Sequence, residues 1–599
     1  NNTVEKDKEK TNYIRIKLNG KKDNTFAYGA KVELWSGGEY QFQENFLSRG
    51  YISSVDPIIH FGLSEKTLID SIRITWPASS NVSTVKNIEV NQMVELDEKN
   101  SIPYNKNKEE SGLLFSSVDS VINYSHRQND FIDFHYGQNI LPHKFSQIGP
   151  RMQKGDLNGD GLEDIIIGAT NILPTMVYLH EGNSFINSKI EGLTETKEFS
   201  ESDFAIIDVD QDGDNDVIAL SGGYEMQQHN YKHYLYENNK GSFTRSELPI
   251  GAFPASVVRP FDFDHDGDLD LFIGARVAIG MFPIANDSWL LINDNGKYNA
   301  QSSMKFNLGM VTDAVWSDYN GDGWEDLLIA REWNSITILK NMDGERITSQ
   351  EIPEIESMHG MWFSIASGDF DQDGDNDYVI GNLGENHRLT VSDQYPLKLY
   401  AGDFDLNGTL DPISTGYWED QNGVMTEYPI NYLDELAGQS NYFKRKYKDY
   451  TSFSYGDIHD MLDSVLLERI EYTFTTNTTS SYILWNQGDS FEWEKLPEVA
   501  QVSPIKKMLV RDFNKDNLPD VILAGNDYSF DISTGYFDAN KGLILMSKDG
   551  KPLSDLKTSS QSGLMLQGML ESLLYLDDKK PLIVAGFNRD KVETFTLNK

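Results

Sequence analysis

The stretch FDFDHDGDLDLFIGAR, residues 261–276, places aspartate at 262, 264, 266, 268 and 270, sets a glycine at 267 and then runs into an apolar strand. Carboxylates crowded this closely repel one another, at a cost on the order of several kcal/mol in a compact hairpin that lacks a counter-ion. A divalent cation removes the conflict. Counted from Asp262, positions one, three, five and nine offer side-chain oxygens, position seven offers a backbone carbonyl, and the glycine at position six permits a sharp turn. Such hard oxygen donors suit Ca2+. An EF-hand opens in the same way, but it needs a bidentate glutamate at position twelve and a following helix, where this chain has a strand around Phe272 and Ile273. The loop therefore joins two strands.

The chain repeats the device. GDLNGDGLEDIIIGA (155–169), IDVDQDGDNDVIAL (207–220), FDFDHDGDLDLFIGA (261–275), SDYNGDGWEDLLIA (317–330), GDFDQDGDNDYVIGN (368–382), GDFDLNGTLDPISTG (402–416) and RDFNKDNLPDVILAG (511–525) share one template, and YLDDKKPLIVAGFN (575–588) keeps the strand without the aspartates. The expected ligands are Asp156, Asn158, Asp160, Leu162 and Asp164 in the first loop, and Asp208, Asp210, Asp212, Asp214 and Asp216 in the second. Asp262, Asp264, Asp266, Asp268 and Asp270 follow in the third, and Asp318, Asn320, Asp322, Trp324 and Asp326 in the fourth. The fifth offers Asp369, Asp371, Asp373, Asp375 and Asp377, the sixth Asp403, Asp405, Asn407, Thr409 and Asp411, and the seventh Asp512, Asn514, Asp516, Leu518 and Asp520. Asparagine at position three keeps an oxygen, and Leu162, Trp324, Thr409 and Leu518 at position seven lose nothing, because only the carbonyl is needed. The sixth loop departs at Asn407 and the seventh at Asn517, which replaces the glycine. Up to seven Ca2+ sites are expected.

A second signature, a strand ending in a turn, follows most copies: VYLHEGNSF (177–185), HYLYENNKGSF (233–243), WLLINDNGKY (289–298) and YILWNQGDSF (482–491). Strand, Asp-rich hairpin, apolar strand, third strand and turn into a fourth make one four-stranded antiparallel blade. Spacings of 52, 54, 56 and 51 residues between the first five loops fit one blade each, whereas the next gap is 34. That gap has no room for two outer strands, so the loops at 369–377 and 403–411 are expected to share a blade, with a partly helical insertion at about 418–480. The fold expected is all-β, a calcium-binding β-propeller over 150–599 with seven blades, or eight as the alternative. Residues 12–97 lack the repeat and alternate instead as short strands (YIRIKL, KVELW, IIHFGL, DSIRITW), as in a small β-sandwich, and 98–149 reads as linker and lead-in.

Bulk composition agrees. The 599-residue chain is 39% hydrophobic and 12% aromatic, enough for a large core and more than one domain. Its net charge of −41 repels nucleic acid and anionic membranes, and makes cations the natural partner. With no cysteine, disulfides, thiolate metal sites and cysteine nucleophiles are excluded. No apolar run is long enough for a transmembrane segment, and the start NNTVEKDKEK is not a signal peptide. Twenty-nine Tyr and 30 Phe among turn formers suit a β-rich extracellular protein.

The Asp-rich hairpins resemble the FG-GAP/VCBS repeats of integrin-like propellers. Residues 12–97 resemble an ASPIC/UnbV domain through AYGAKVEL (27–34), SRGYISSVDPIIHFGL (48–63) and IRITWPAS (72–79), with Ser79 and Ser80 where that family usually has glycine. Proteins with this pairing are similar to surface lipoproteins of Gram-negative bacteria, some associated with SusC/SusD-like outer-membrane transporters. The resemblance implies an exported protein at the outer face of the outer membrane or secreted, a piece of a longer chain, helping a nutrient uptake complex capture glycan or peptide. The label "RNA-binding" sometimes attached to the family finds no basic footprint here.

Catalytic signatures are missing. No G-x-S-x-G, phosphate-cradling glycine loop or nucleophile–base constellation occurs. His229 and His233 have the spacing of a zinc pair without the glutamate of HExxH, and His126, His135 and His143 flank the lead-in, where ordinary hydrogen bonding is expected. Candidate ligand-binding residues lie just beyond the second strands, where blade loops converge on one rim: Glu225, Arg276, Arg331, Glu332, Trp333, Asn382, Asn386, Trp418, Asn526 and Tyr528. A non-enzymatic binding or accessory protein is the first reading. A propeller-type polysaccharide lyase or hydrolase, and a structural interaction subunit, are the alternatives.

Overall fold

The computed structural model describes residues 11–598 apart from 22, 49, 78, 80, 104–111, 120, 132, 136–137, 183, 195–199, 226–229, 489, 532–533 and 578–579. The chain forms two compact units, residues 1–111 and 112–599. Both are built from β-sheets, and short helices cluster between 433 and 467. Among the described residues no helix is long and apolar enough to cross a membrane.

In the first unit, Asn12–Asn19 pairs antiparallel with Ile58–Ser64 and parallel with Gln92–Asp97, while Glu39–Glu44, Lys31–Ser36, Leu68–Thr75 and Val82–Glu89 form a second sheet. Alternation puts Ile14, Ile16 and Leu18 of one sheet and Ile69, Ile72 and Ile74 of the other into a single core. Trp76 is fully buried there and donates its indole N–H to Ser83 Oγ at 2.9 Å. Ser79, one of the two serines in place of glycine, donates to Glu98 Oε1 at 3.0 Å, and Ser80 lies outside the described residues.

Among the described residues the second unit holds seven sheets built on one four-stranded design, one of them with an added short strand at Gly360–Met361, and one inserted sheet. Their first two strands are Met152–Gly155 and Asp164–Ile167, Glu201–Ile207 and Asp216–Ser221, Ala255–Phe261 and Asp270–Ala275, Val311–Ser317 and Asp326–Asn334, Ser364–Gly368 and Asp377–Gly381, Lys507–Arg511 and Asp520–Ala524, and Leu570–Leu576 and Leu582–Phe587. We number these sheets first to seventh. Second strands are buried on both faces, as in Asp164–Ile167 and Asp270–Ala275, which is why they read as unbroken apolar runs.

Each sheet packs face to face on the next. Ile218 and Leu220 of the second meet Leu271 and Ile273 of the third, and Val379 and Ile483 of the fifth meet Val521 and Leu523 of the sixth. Val584 and Leu576 of the seventh meet Ile165 and Ile167 of the first, so the packing returns to its start. The seventh sheet takes its outer strand, Phe115–Ser117, from the beginning of the unit: Phe115 faces Leu597, and its ring is fully buried.

One expectation is overturned. The loops at 369–377 and 403–411 do not share a sheet, because the outer strands of the fifth sheet, Tyr482–Asn486 and Phe491–Lys495, come from beyond the insertion. The sixth loop instead joins Leu397–Gly402 to Asp411–Glu419 in a separate sheet completed by Met425–Pro429 and Tyr472–Thr476. The short gap was correctly read as too small for two outer strands, but the chain adds them about a hundred residues later.

Candidate metal centres

The Asp-rich hairpins share most of one geometry, the fifth lacking the position-one bonds at Asp369. At position one, Asp156 accepts from the position-five amide of Asp160 at 3.2 Å and the position-six amide of Gly161 at 2.7 Å, and Asp208, Asp318, Asp403 and Asp512 repeat the pattern. Asp262 keeps only the contact to Gly267, at 3.1 Å. The position-five oxygen accepts from the amide of position seven: Asp160 from Leu162, Asp212 from Asp214, Asp266 from Asp268, Asp322 from Trp324, Asp373 from Asp375, Asn407 from Thr409 and Asp516 from Leu518. These bonds hold the loop in a compact turn.

Position six is left-handed in every loop, with φ of 96° at Gly267 and 69° at Asn517. Asparagine tolerates that region, so the departure at Asn517 leaves the turn intact. Position four is left-handed too, at Gln211, His265, Gln372, Leu406 and Lys515, and the first and fourth loops place Gly159 and Gly321 there. Those two glycines were the legible trace of a second strained position.

Side chains at position seven turn away from the centre. Asp214 accepts from the amide of Lys240 at 2.9 Å and Asp268 from that of Asn295 at 2.7 Å, while Trp324 stacks on His265 with ring centroids 4.2 Å apart. Only the carbonyl of this residue is thus available to a cation. Asp375 lies in the fifth loop at the same position.

Position nine does more than offer a ligand. Asp270, 1% exposed, accepts from the amide of Phe263 at 2.9 Å and from that of Asn293, at the end of the third strand, at 2.8 Å. Asp164, Asp216 and Asp377 make the same pair of bonds; Asp326 takes only the one from Asn341, while Asp411 and Asp520 keep the one from position two. Burial, and then the neighbouring loop carboxylates, push Asp216 up to about 6 and Asp270 up to about 7. Asp326 and Asp377 are likewise raised to about 7, and Asp411 and Asp520 to about 6, chiefly by burial.

These residues fit a hard divalent cation. Carboxylate oxygens of Asp208, Asp210 and Asp216 lie within 4.8 Å of one another, as do those of Asp262, Asp264 and Asp270, of Asp369, Asp371 and Asp373, and of Asp403, Asp405 and Asp411. Buried oxygens of Asp262, Asp369, Asp405 and Asp520 have no hydrogen-bond partner, as expected of atoms turned toward an ion. In the first, fourth and seventh loops an amide does part of that work: Asn158 donates to Asp160 at 3.1 Å, Asn320 to Asp326 at 3.3 Å and Asn514 to Asp516 at 2.9 Å. Lys340 also reaches Asp322 at 2.9 Å. The demand for a cation is therefore strongest in the second, third, fifth and sixth loops.

The second signature hides an inter-sheet staple. Asn238, Asn293, Asn341 and Asn486 stand at or near the ends of their third strands, and each donates its side-chain amide to the position-two carbonyl of the preceding sheet's loop: Leu157, Val209, Phe263 and Tyr319, at 2.7–3.3 Å. The recurrent asparagine was visible in the sequence, and its partner was not.

At the opposite end of these hairpins the expected open rim is largely covered. Trp333 is buried against Phe145 and Leu141 of the lead-in, and Glu332 accepts from Arg276 and sits 3.0 Å from His143 Nε2. Glu332 is buried, yet Arg276 and His143 hold it ionised at about 2. Glu225 accepts from the amide of Gln147 at 2.7 Å. Asn382 and Asn526 are fully buried and cross-link backbone: Asn382 to Thr478 and Met361, Asn526 to Asn540 and Gly568. Arg331 donates to the carbonyls of Leu308 and Ser335, and burial lowers it to about 10. Glu332, Trp333, Asn382 and Asn526 are therefore buried within the protein and not exposed on an open rim. Asn386 is exposed and donates to Val502, and Tyr528 packs on Tyr536 at 4.9 Å.

Histidines behave as hydrogen-bonding groups. His233 is fully buried and edges onto Phe253, while His229 lies outside the described residues. His126 accepts from the amide of Arg589 at 2.9 Å.

Trp418 opens onto a cleft of about 500 Å³ between the inserted sheet and its helices, and Arg331 lines a separate cleft of about 630 Å³. Tyr428, Tyr432, Phe453 and Tyr455 share the wall of the Trp418 cleft with Arg388, Asn422 and Gln421. Tyr455 is 67% exposed and Tyr432 44%.

Residues 20–103 match the family model described as ASPIC and UnbV, and residues 208–273 and 318–380 match the FG-GAP-like repeat. The chain is thus an all-β protein carrying an ASPIC/UnbV region and FG-GAP-like repeats. No curated protein matches it. Similar solved structures include the Dos1 propeller, at 9% identity over 82% of this chain and 98% of that one (TM-score 0.36). The V. cholerae biofilm matrix protein Bap1 (11%, 81% and 91%, TM-score 0.35) and Saccharomyces cerevisiae Sqt1 (9%, 80% and 100%, TM-score 0.35) are others.

Proposed function

We propose that this chain is a calcium-stabilised binding protein without catalytic activity, in which the seven sheets form a seven-bladed propeller and the cleft around Trp418 takes an extended glycan. The observation that carries the reading is the cleft itself. Aromatic faces at Trp418, Tyr428, Tyr432 and Tyr455 offer platforms to sugar rings, and the planar groups of Arg388, Gln421 and Asn422 offer hydrogen bonds to hydroxyls. A peptide is the alternative occupant. Ca2+ would be held by the Asp loops, where it neutralises clustered carboxylates and fixes hairpins.

An exported accessory role beside a SusC/SusD-like transporter, at the outer face of the outer membrane, rests on the resemblance of sequence. Affinity electrophoresis over a panel of polysaccharides tests the binding function. One or more should retard the protein, and Trp418→Ala should weaken retention about tenfold or more, as loss of a stacked aromatic anchor does. Retention equal in wild type and variant, or release of cleaved product, would refute it.

A further inference from the structure

A cavity of about 190 Å³ lies where the first strands of the seven sheets converge, walled by Arg151, Ser202, Arg259, Thr312, Lys507 and Glu571 among others, and covered at one end by residues 143–148 of the lead-in. In a chain of net charge −41 its wall is unusual, with six lysines and arginines against three carboxylates.

Most of those cations are matched. Arg259 sits between Asp203 at 2.8 Å and Asp313 at 2.5 Å, and Lys506 between Glu571 at 2.8 Å and Asp527 at 3.1 Å. Arg151 pairs with Glu571 at 3.1 Å, Arg276 with Glu332, and Lys144 with the side-chain oxygen of Gln147 at 3.0 Å. Among the described residues Lys507 makes no ion pair or side-chain hydrogen bond. It keeps some surface toward the cavity while protein encloses it, and that loss of bulk water, with Arg151 nearby, lowers its ammonium to about 8. Two further polar atoms in this wall, Arg151 Nε and Ser202 Oγ, are buried without a partner.

The carboxylates of Asp313, Glu571 and Asp203 act on this ammonium only through space, and an enclosed ammonium without a direct partner, sharing a wall with two unsatisfied polar groups, is costly unless something answers it. We propose that the cavity binds a small oxyanion through Lys507, Arg151 and Ser202. The shared chemistry is a compact group of two to four oxygens, supplied either by an inorganic ion of the sulfate or phosphate type or by the carboxylate of a small molecule. The volume admits either with a few waters.

The test is calorimetric titration of the full chain, with Ca2+ held constant and ionic strength matched by chloride, using sodium sulfate in one arm and sodium acetate in the other. Saturable one-to-one binding is expected in at least one arm. The sulfate arm alone identifies an inorganic oxyanion, and the acetate arm a carboxylate. Lys507→Met should weaken binding by roughly tenfold or more, through loss of a charge-assisted contact, while Lys507→Arg retains it. Lys507→Met should melt no lower than wild type without anion, since it removes an unmatched charge. Neither anion binding saturably to folded wild type, or identical isotherms for wild type and Lys507→Met, would overturn the proposal.

Discussion

Replacing Asp270 by asparagine separates its two roles. The carboxylate is 1% exposed and accepts two buried backbone amides, from Phe263 at 2.9 Å and Asn293 at 2.8 Å. Hydrogen bonds to a charged group contribute about 1.5–3 kcal/mol each. The substituted amide would offer one acceptor and one donor, so whichever way it turns, one buried N–H meets another N–H. With Ca2+ bound, the loss of that bond and of a negative ligand should cost about 2–4 kcal/mol. Over a unit of this size the unfolding entropy makes each kcal/mol about 1 °C, so the melt should fall by about 2–4 °C. In chelator the sign of the second contribution reverses. Burial, and then the charges of Asp264 and Asp266, push the wild-type group up to about 7, so a neutral amide relieves a penalty that the ion otherwise removes. The variant should therefore lose less, or nothing, in chelator. Calorimetric melts of both proteins in Ca2+ and in chelator read the difference directly. A loss in chelator equal to or larger than that in Ca2+ would mean that Asp270 is only a hydrogen-bond latch, and the metal argument at this loop would fall.

Two further outcomes follow from the same loops. Asp216, Asp270, Asp326, Asp377, Asp411 and Asp520 stand at about 6 to 7 in the folded protein, against 3.8 for an ordinary aspartate, so folding without metal takes up protons. The stability this gives is complete below about pH 4 and is lost as pH rises through about 6 to 7; melts in chelator should fall across that window and flatten in Ca2+. A chelated melt that rises across it would contradict the assignment. Asn341→Ala removes the bonds to Phe263 O at 3.0 Å and from Gly344 N at 2.9 Å, and should cost about 2–4 kcal/mol equally with and without Ca2+, read by denaturant melts. A cost seen only in one condition would count against a staple independent of metal.

The repeat was legible because its signals are local. Asp–x–Asp–x–Asp–Gly before an apolar run dictates a hairpin whichever sheet it serves, and the apolar runs dictate strands buried on both faces. What escaped the sequence was long-range pairing. Nothing near 381 says that the fifth sheet waits for Tyr482–Asn486, or that Phe115–Ser117 completes a sheet whose other strands begin at Leu570. The rim was misjudged for a related reason. Equivalent positions beyond the second strands do converge, as the repeat implies, but the chain's own lead-in already occupies much of that space, and Leu141 and Phe145 carry no motif that announces it. Lys507 was equally silent, since a lysine starting a strand looks like any exposed one until its neighbours are placed.

The two ends of the sheet assembly then follow different electrostatic logics. At the Asp-loop end, anionic oxygens gather, and under the proposed Ca2+ reading stability there should track metal concentration. Around the central cavity the chain does the reverse and places arginines and lysines, most of them matched to a carboxylate on a neighbouring strand, as Arg259 is to Asp203 and Asp313. Such buried pairs are costly to break and fix which strand lies beside which, because a shifted sheet would leave a charge unmatched. Lys507 departs from that scheme by having no partner among the described residues. If its only purpose were packing, methionine would serve as well, and the oxyanion titration asks whether the charge is kept for a ligand instead.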